Sequence, residues 1–297
     1  MTEMLSISKV ALFPHPERVS AWKEAERFAV FLAEEGVEAL IREELAGCVG
    51  VPVTSVPEKE IPYRADLAVS FGGDGTFLRT VRAASGLPVA GVNCGELGYL
   101  AEVPIEDLQE FADAVARGIL VCEDRLALHG EVEWHANNRS SQCERPSAVV
   151  LNDFVFDKRA GGRVVKLRVC VDGTRYATLR ADALVVATPT GSTAYNFSAR
   201  GPLVTPDLQV ILVTPVAPHG LWDRSLVLGP GREVQVEVTD DRRAAVFADG
   251  APCCDLAQGD RFFIRAADQP VRVVRWRPFG YIERLRAAFD GRGDLAL

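Results

Sequence analysis

Hydrophobic and polar positions in the first third of the chain switch between two periods. A short apolar run, Val10-Ala-Leu-Phe13, is closed by prolines, and from 20 to 35 the apolar positions Ala25, Phe28, Ala29 and Leu32 recur at helical spacing. Gly36 stands where such a helix takes a C-terminal cap, and 37–41 predicts the next strand. Leu67-Ala-Val-Ser-Phe71 predicts a buried strand that runs straight into Gly72. From Thr76 the pattern predicts a helix with Phe77, Leu78 and Val81 on one face and Gly86 at its end, and 88–92 predicts one more strand. Strand–helix–strand repetition at this spacing means βαβ units on a parallel sheet.

The period changes after about Glu123. Alternating β-rich runs cover 126–134, 148–156, 164–171, 184–187, 210–214, 234–238, 244–247 and 262–265. Asp172-Gly173 and Asp249-Gly250 have the turn chemistry of hairpins. The polar stretch 135–147 reads as a long hairpin loop. Strands gathered after βαβ units predict a second, all-β domain over 123–269. A last strand over 271–276 and a helix over 281–289 return the chain to the first domain, which then comprises 1–122 plus 270–297.

Composition narrows the classes of function. A chain of 297 residues fits two domains at about 150 residues each. The formal net charge of -8 argues against a broad nucleic-acid or membrane-surface partner, because both select a basic face. The seven cysteines include no C-x-x-C pair, so neither zinc nor a disulfide framework is indicated, and the vicinal Cys253-Cys254 reads most simply as small core residues. No stretch reaches the ~18 apolar residues of a membrane span, and the N-terminus lacks the features of a signal peptide. The expectation is a soluble, cytoplasmic protein.

Three segments carry candidate chemistry. In Gly72-Gly-Asp-Gly-Thr76, glycines let a ligand approach bare backbone and the helix start offers unpaired N–H groups, an anion site with Asp74 inside it. The competing reading is a tight turn with Asp74 as helix N-cap. Neither this segment nor the next contains a lysine, and the P-loop pattern is absent, so a metal ion would have to neutralise donor phosphates. In Thr188-Pro-Thr-Gly-Ser-Thr-Ala-Tyr195, proline and glycine lock a loop whose hydroxyls and Tyr195 ring suit an adenine and a ribose. The alternative there is an elaborate helix cap through Ser192 or Thr193. In Leu151-Asn-Asp-Phe154, two polar residues interrupt an apolar run, which means either a strand end facing a ligand or a satisfied turn. His219 has no Ser or Cys nucleophile pattern beside it and reads as structural.

Together these segments resemble the NAD kinase family. The likeness runs from about Leu67 to the C-terminus through Gly72–Thr76, Asn93-x-Gly-x-Leu-Gly-Tyr-Leu100, Leu151-Asn-Asp, Arg180-Ala-Asp, Thr188–Tyr195, Ser198, Gly201-Pro202 and Thr214-Pro-x-x-Pro-His219. The Gly-Gly-Asp-Gly piece is shared with several other kinases; the Thr-Pro-Thr-Gly-Ser-Thr-Ala-Tyr piece is specific. The resemblance implies an α/β Rossmann-like N-terminal domain and a β-sandwich-like C-terminal domain. It implies transfer of a phosphoryl group from ATP or polyphosphate to the 2′-hydroxyl of the adenosine ribose of NAD. Asp74 would be the base, Gly73, Gly75 and Thr76 would face phosphates, and Asn152 and Asp153 would hold ribose. Asp182, Thr193, Ala194, Tyr195 and Ser198 would line the dinucleotide site. The family's habit implies Mg²⁺ with the donor and a homodimer or homotetramer, and the residues themselves show no metal-ligand cluster.

The chain departs from the family in three places. Asp153 stands where Glu is common, Arg200 replaces a glycine of Ser-Ala-Gly-Gly-Pro, and Pro14-His-Pro16 follows the first strand. Asp153 and Arg200 suggest one rival, a kinase of the same fold with another nucleoside or nucleotide acceptor, and a dinucleotide-binding sensor without turnover is carried beside it.

Overall fold

The apolar runs of the first third become parallel strands whose residues are almost all buried. In the computed structural model, which describes residues 6–95, 98–135, 146–158, 164–275, 277, 280–283 and 285–286, the chain divides into two units. One is Met1–Asp124 with Val271–Leu297, and the other is Arg125–Pro270.

The first unit carries β1 (Lys9–Pro14), α1 (Val19–Glu34), β2 (Glu38–Arg42), β3 (Thr54–Val56), α2 (Ile61–Arg64), β4 (Leu67–Gly72), α3 (Asp74–Ala83) and β5 (Val89–Asn93). It continues through β6 (Val103–Pro104), α4 (Leu108–Ala116) and β7 (Val121–Arg125). The sheet order is β3-β2-β1-β4-β5, then the returning strand Val271–Arg275, then β7, with β6 paired to β5. Every pairing between β1 and β6 in this sheet is parallel, as the βαβ reading requires. Helix α1 buries Ala21, Ala25, Phe28, Ala29 and Leu32, and Gly36 takes a positive φ of 76° just beyond its end. Phe28 stacks on Phe111 at 5.3 Å and tilts against Phe71 at 5.7 Å, so α4, which the periodicity reading passed over, completes this core. Burial of each such ring contributes roughly 1.5–3 kcal/mol.

The second unit contains β8 (Leu128–Glu133), β9 (Ser147–Val150), β10 (Asp153–Lys158), β11 (Val165–Val171), β12 (Thr174–Ala181) and β13 (Ala183–Ala187). After α5 (Tyr195–Ser198) come β14 (Ile211–Val216), β15 (Leu226–Leu228), β16 (Val234–Val238), β17 (Ala244–Ala248), β18 (Ala251–Leu256) and β19 (Arg261–Ala266). They form two six-stranded sheets, β15-β14-β13-β10-β17-β18 and β12-β11-β16-β19-β8-β9. One cluster of buried side chains draws on both sheets, and Phe262 meets Phe154 at 5.3 Å and Phe156 at 5.5 Å across it. This is a β-sandwich, so the fold class is α/β followed by all-β. Because side chains alternate along a strand, Phe154 and Phe156 face the sandwich core while Val155 joins a separate outer cluster with Ala183, Val185 and Ala187. Asp153 and Asp157 share that outer face with Val155.

Much of the expected loop 135–147 and part of the expected helix 281–289 lie outside the described residues. Cys253 and Cys254 pack against the sandwich core but are only partly buried, where small buried residues were expected. No helix among the described residues is long and apolar enough to cross a membrane.

Candidate active site

In the first unit, strand β4 delivers the chain into the glycine turn. Gly72 has φ 156°, and a Cβ there would collide with the Thr76 side chain. The N-cap of α3 is Gly73 and not Asp74, which is the first helical residue; the N-cap reading of Asp74 is therefore overturned. Its side chain turns to another loop. Asp74 Oδ2 accepts the Tyr99 N–H at 2.9 Å, and Oδ1 accepts those of Leu100 at 2.9 Å and Ala101 at 3.1 Å. A Cβ at Gly98 would strike this carboxylate, which explains the glycine in the Gly-Tyr-Leu segment. The far segment is thus bound to the turn by hydrogen bonds that its spacing could not reveal, although Glu96 and Leu97 within it lie outside the described residues.

Around the turn, the backbone at Gly73 and Gly75 faces open space, whereas Thr76 is buried. Positive charge arrives from outside the motif. His15 is pushed below its ordinary pKa, first by burial and then by the Arg79 and Arg18 guanidiniums. Arg18 also reaches the backbone of the neighbouring loop, where a Cβ on Gly95 would lie 3.2 Å from its Nη1.

In the second unit, the polar break Leu151-Asn152 joins β9 to β10 and is held by a residue that the motifs did not single out. Asp249, at φ 46° in the turn between β17 and β18, accepts the N–H groups of Leu151 at 2.9 Å, Asn152 at 2.8 Å and Asp153 at 3.2 Å. Its Asp-Gly signature indicated only a hairpin. Both readings of the break are therefore partly right. The backbone is a satisfied turn, yet Asn152 Oδ1 is buried with no hydrogen-bond partner. Asp153 is 4% exposed, and its carboxyl is pushed up to about 7 by burial and then by the Asp249 charge, against a backbone N–H donated by Tyr195.

The hydroxyl-rich loop spends most of its polar groups internally. Thr188 Oγ1 donates to the Leu151 carbonyl at 2.5 Å and accepts the Gly191 N–H at 3.1 Å. Ser192 Oγ donates to the Val204 carbonyl at 3.0 Å and accepts its N–H at 3.1 Å. Buried Asn196 donates to Pro202 at 3.0 Å and accepts from Thr214 at 2.7 Å. Helix α5 begins after Ala194 with no side-chain cap, so the expected Ser192 or Thr193 cap is corrected. What the loop leaves outward is Tyr195, 38% exposed, and exposed Ser198, with Thr193 and Ala194 half-buried. The Tyr195 hydroxyl is held above its ordinary pKa by burial and then by the charges of Asp157, Asp182 and Asp153. Asp182 is paired with Lys158 at 2.6 Å. Asp157, Lys158, Phe247, Pro252, Cys253 and Cys254 border a hollow of about 710 Å³ on the same sheet.

Residues 10–119 match the family described as ATP-NAD kinase N-terminal domain, and residues 151–276 match ATP-NAD kinase C-terminal domain. The chain is 37% identical over 259 residues to an NAD kinase of Desulforamulus reducens, covering 86% of this chain and 88% of that one. It is 35% identical over 283 residues to an NAD kinase of Geobacter sulfurreducens, covering 94% and 97%. Among solved structures it superposes on yeast NADH kinase complexed with NADH with a TM-score of 0.87, at 24% identity over 96% of this chain and 88% of that one. An NAD kinase from Archaeoglobus fulgidus in complex with ATP gives 0.71, at 24% identity over 95% and 96%.

Proposed function

This chain belongs to the NAD kinase family, and we propose that it phosphorylates the adenosine-ribose 2′-hydroxyl of NAD with Asp74 as the base. The observation that carries the reading is the pairing of an open glycine turn with a carboxylate fixed by three backbone amides. Oδ1 accepts two N–H groups and Oδ2 only one, so Oδ2 keeps the lone pair for a hydroxyl.

As the ribose oxygen bonds to the terminal phosphorus of ATP, the bond from that phosphorus to the bridging oxygen breaks. ADP departs, and the hydroxyl proton passes to Asp74. A carboxylate is a weak base for an alcohol, but the hydroxyl becomes acidic late in the transfer, when a positioned acceptor is sufficient. Gly73, Gly75 and Thr76 present backbone at the phosphates. On the second unit, Asn152 Oδ1 and the Asp153 carboxylate are acceptors suited to ribose hydroxyls. Tyr195 offers a ring edge to the base, with Asp182, Thr193, Ala194 and Ser198 around it.

Among the described residues no group of three or more His, Cys, Asp or Glu is arranged to hold a metal ion. Mg²⁺ would enter as the metal complex of the donor, since this ion keeps its waters and binds phosphates readily. A cytoplasmic homodimer or homotetramer accords with the family likeness.

The test is formation of NADP from NAD with ATP or polyphosphate, with and without Mg²⁺. Product from NAD in preference to other nucleosides and nucleotides supports the proposal. Tight NAD binding without transfer from any donor refutes it in favour of a sensor.

A further inference from the structure

We propose that Cys253 and Cys254 form a vicinal dithiol which a peroxide oxidises to a disulfide, loosening the turn at 151–153 through the hairpin that carries both thiols. The consequence for NAD rests on the kinase reading. All the residues involved lie in the second unit.

Strand β18 does not pair with β17 in simple register. Val246 lies opposite Cys254 and Phe247 opposite Pro252, so β18 carries one extra residue, Cys253, as a β-bulge. In a regular strand, adjacent side chains point to opposite faces. Here both cysteines pack against the sandwich core, which Val246 joins, while Phe247 packs with the outer cluster. The bulge thus brings both thiols to one face. β18 is also the last strand of its sheet, and both cysteines are half-buried at the border of the hollow of about 710 Å³.

Charges of both signs border that hollow, Lys158 against Asp157 and Asp255, so adjacency rather than an activated thiolate drives the reaction. One sulfur attacks the peroxide, the O–O bond breaks, and a sulfenic acid and water form. The second sulfur then displaces the sulfenic oxygen as another water and closes the S–S bond. The thiols are oxidised by two electrons, their protons pass to the waters, and the peroxide is reduced. Adjacent Cα atoms lie about 3.8 Å apart, short of the roughly 4.4–6.8 Å that a disulfide usually spans. The backbone at 253–254 must therefore twist, and the strained product stays open to reduction by thiols. An edge strand has a ladder on one side only, so the twist is taken up in β18 and its pairing with β17.

The same hairpin reaches the candidate ribose residues. Asp249 and Gly250, at φ 46° and 75°, make its turn just before the bulge. Asp249 accepts the N–H groups of Leu151, Asn152 and Asp153, and its own N–H donates to the Asp153 carbonyl at 3.0 Å. A twist in β18 displaces Asp249 and frees those amides. Oxidation weakens NAD binding, and reduction restores it.

Mass mapping of the native full chain, before and after hydrogen peroxide and again after dithiothreitol, tests the chemistry. The 253–254 peptide should lose two hydrogens and regain them with the reductant. Amide hydrogen exchange at 151–153 should quicken about tenfold in the oxidised form, the weight of one hydrogen bond. The Michaelis constant for NAD should rise by the same factor while that for ATP stays within about twofold. Cys253→Ala and Cys254→Ala should each keep the reduced activity and abolish the effect of peroxide. Thiols that stay reduced at 253 and 254, or that link to another cysteine such as exposed Cys48, would overturn the assignment. A disulfide with unchanged exchange at 151–153 would overturn the coupling, as would equal loss of NAD affinity in peroxide-treated Cys253→Ala. If the reduced wild type makes no NADP, the kinase reading fails, and exchange at 151–153 still decides the switch.

Discussion

Asp249 accepts the backbone N–H of Asp153 at 3.2 Å, and its charge adds to the burial that raises the Asp153 carboxyl to about 7. One aspartate thus positions the other and makes its ionisation costly. A raised carboxyl pKa means that the folded chain binds this proton more tightly than the unfolded chain. That contribution to stability is complete below about pH 4 and is lost as pH rises through about 7. Asp153→Asn should therefore gain stability relative to wild type between pH 5 and pH 8, by roughly 1–3 kcal/mol. Urea unfolding at the two pH values measures this, and equal differences at both would contradict the raised value. If the ionised carboxylate accepts from ribose, the wild-type Michaelis constant for NAD should fall over the same range.

Asp74 combines two duties, and its variants should separate them. Asp74→Asn removes the proton acceptor and turns an amide NH₂ toward donors at Tyr99 or Leu100–Ala101. Turnover should fall by about 10²–10⁴-fold while NAD still binds. Unfolding should show a smaller loss, roughly 1–3 kcal/mol, from the disrupted amide contacts. Wild-type turnover in Asp74→Asn would remove Asp74 from the chemistry.

The alternation of apolar runs made the βαβ and all-β classes legible, because burial of strands and helix faces leaves a period in the sequence. The helix Leu108–Ala116 was passed over although it buries Leu108, Phe111, Ala112 and Val115 at helical spacing. At the site, residue types were legible and partnerships were not. Asp249 appeared only as a turn former, because nothing local shows that its carboxylate reaches three amides about a hundred residues earlier. The hydroxyls of Thr188 and Ser192 looked available to a ligand, because a hydroxyl in a string carries no sign of an internal acceptor.

Arg275, at the end of the strand that returns to the first sheet, is 1% exposed and pairs with Glu102 at 2.6 Å and Glu123 at 3.4 Å. Removing one member of a buried charged group strands the others, which typically costs about 3–5 kcal/mol. Arg275→Ala should destabilise the protein by that order. Arg275→Met combined with Glu102→Gln should recover much of it, since the main cost is the uncompensated charge. Denaturant unfolding of the single and double variants decides this; a double variant as unstable as Arg275→Ala would place the cost in lost packing.

Arg200 occupies φ 63°, just past α5, in the left-handed region where most side chains are disfavoured. The hydrogen bonds around it are those of a closing helix turn: Ala199 N–H donates to Tyr195, Arg200 to Phe197 and Gly201 to Asn196, all at 2.8–2.9 Å. The two glycines of the family pattern at this point therefore serve different ends. Position 200 needs backbone freedom, whereas a Cβ at Gly201 would run into the Asn196 side chain that accepts from Thr214. Arg200→Gly should stabilise the chain by about 0.5–1 kcal/mol, because relief of the left-handed penalty exceeds the entropy lost by glycine. Gly201→Ala should cost about 2 kcal/mol or more through the buried amide. Thermal unfolding of the two variants should move in opposite directions, and a lower midpoint for Arg200→Gly would show that the arginine side chain makes a compensating contact.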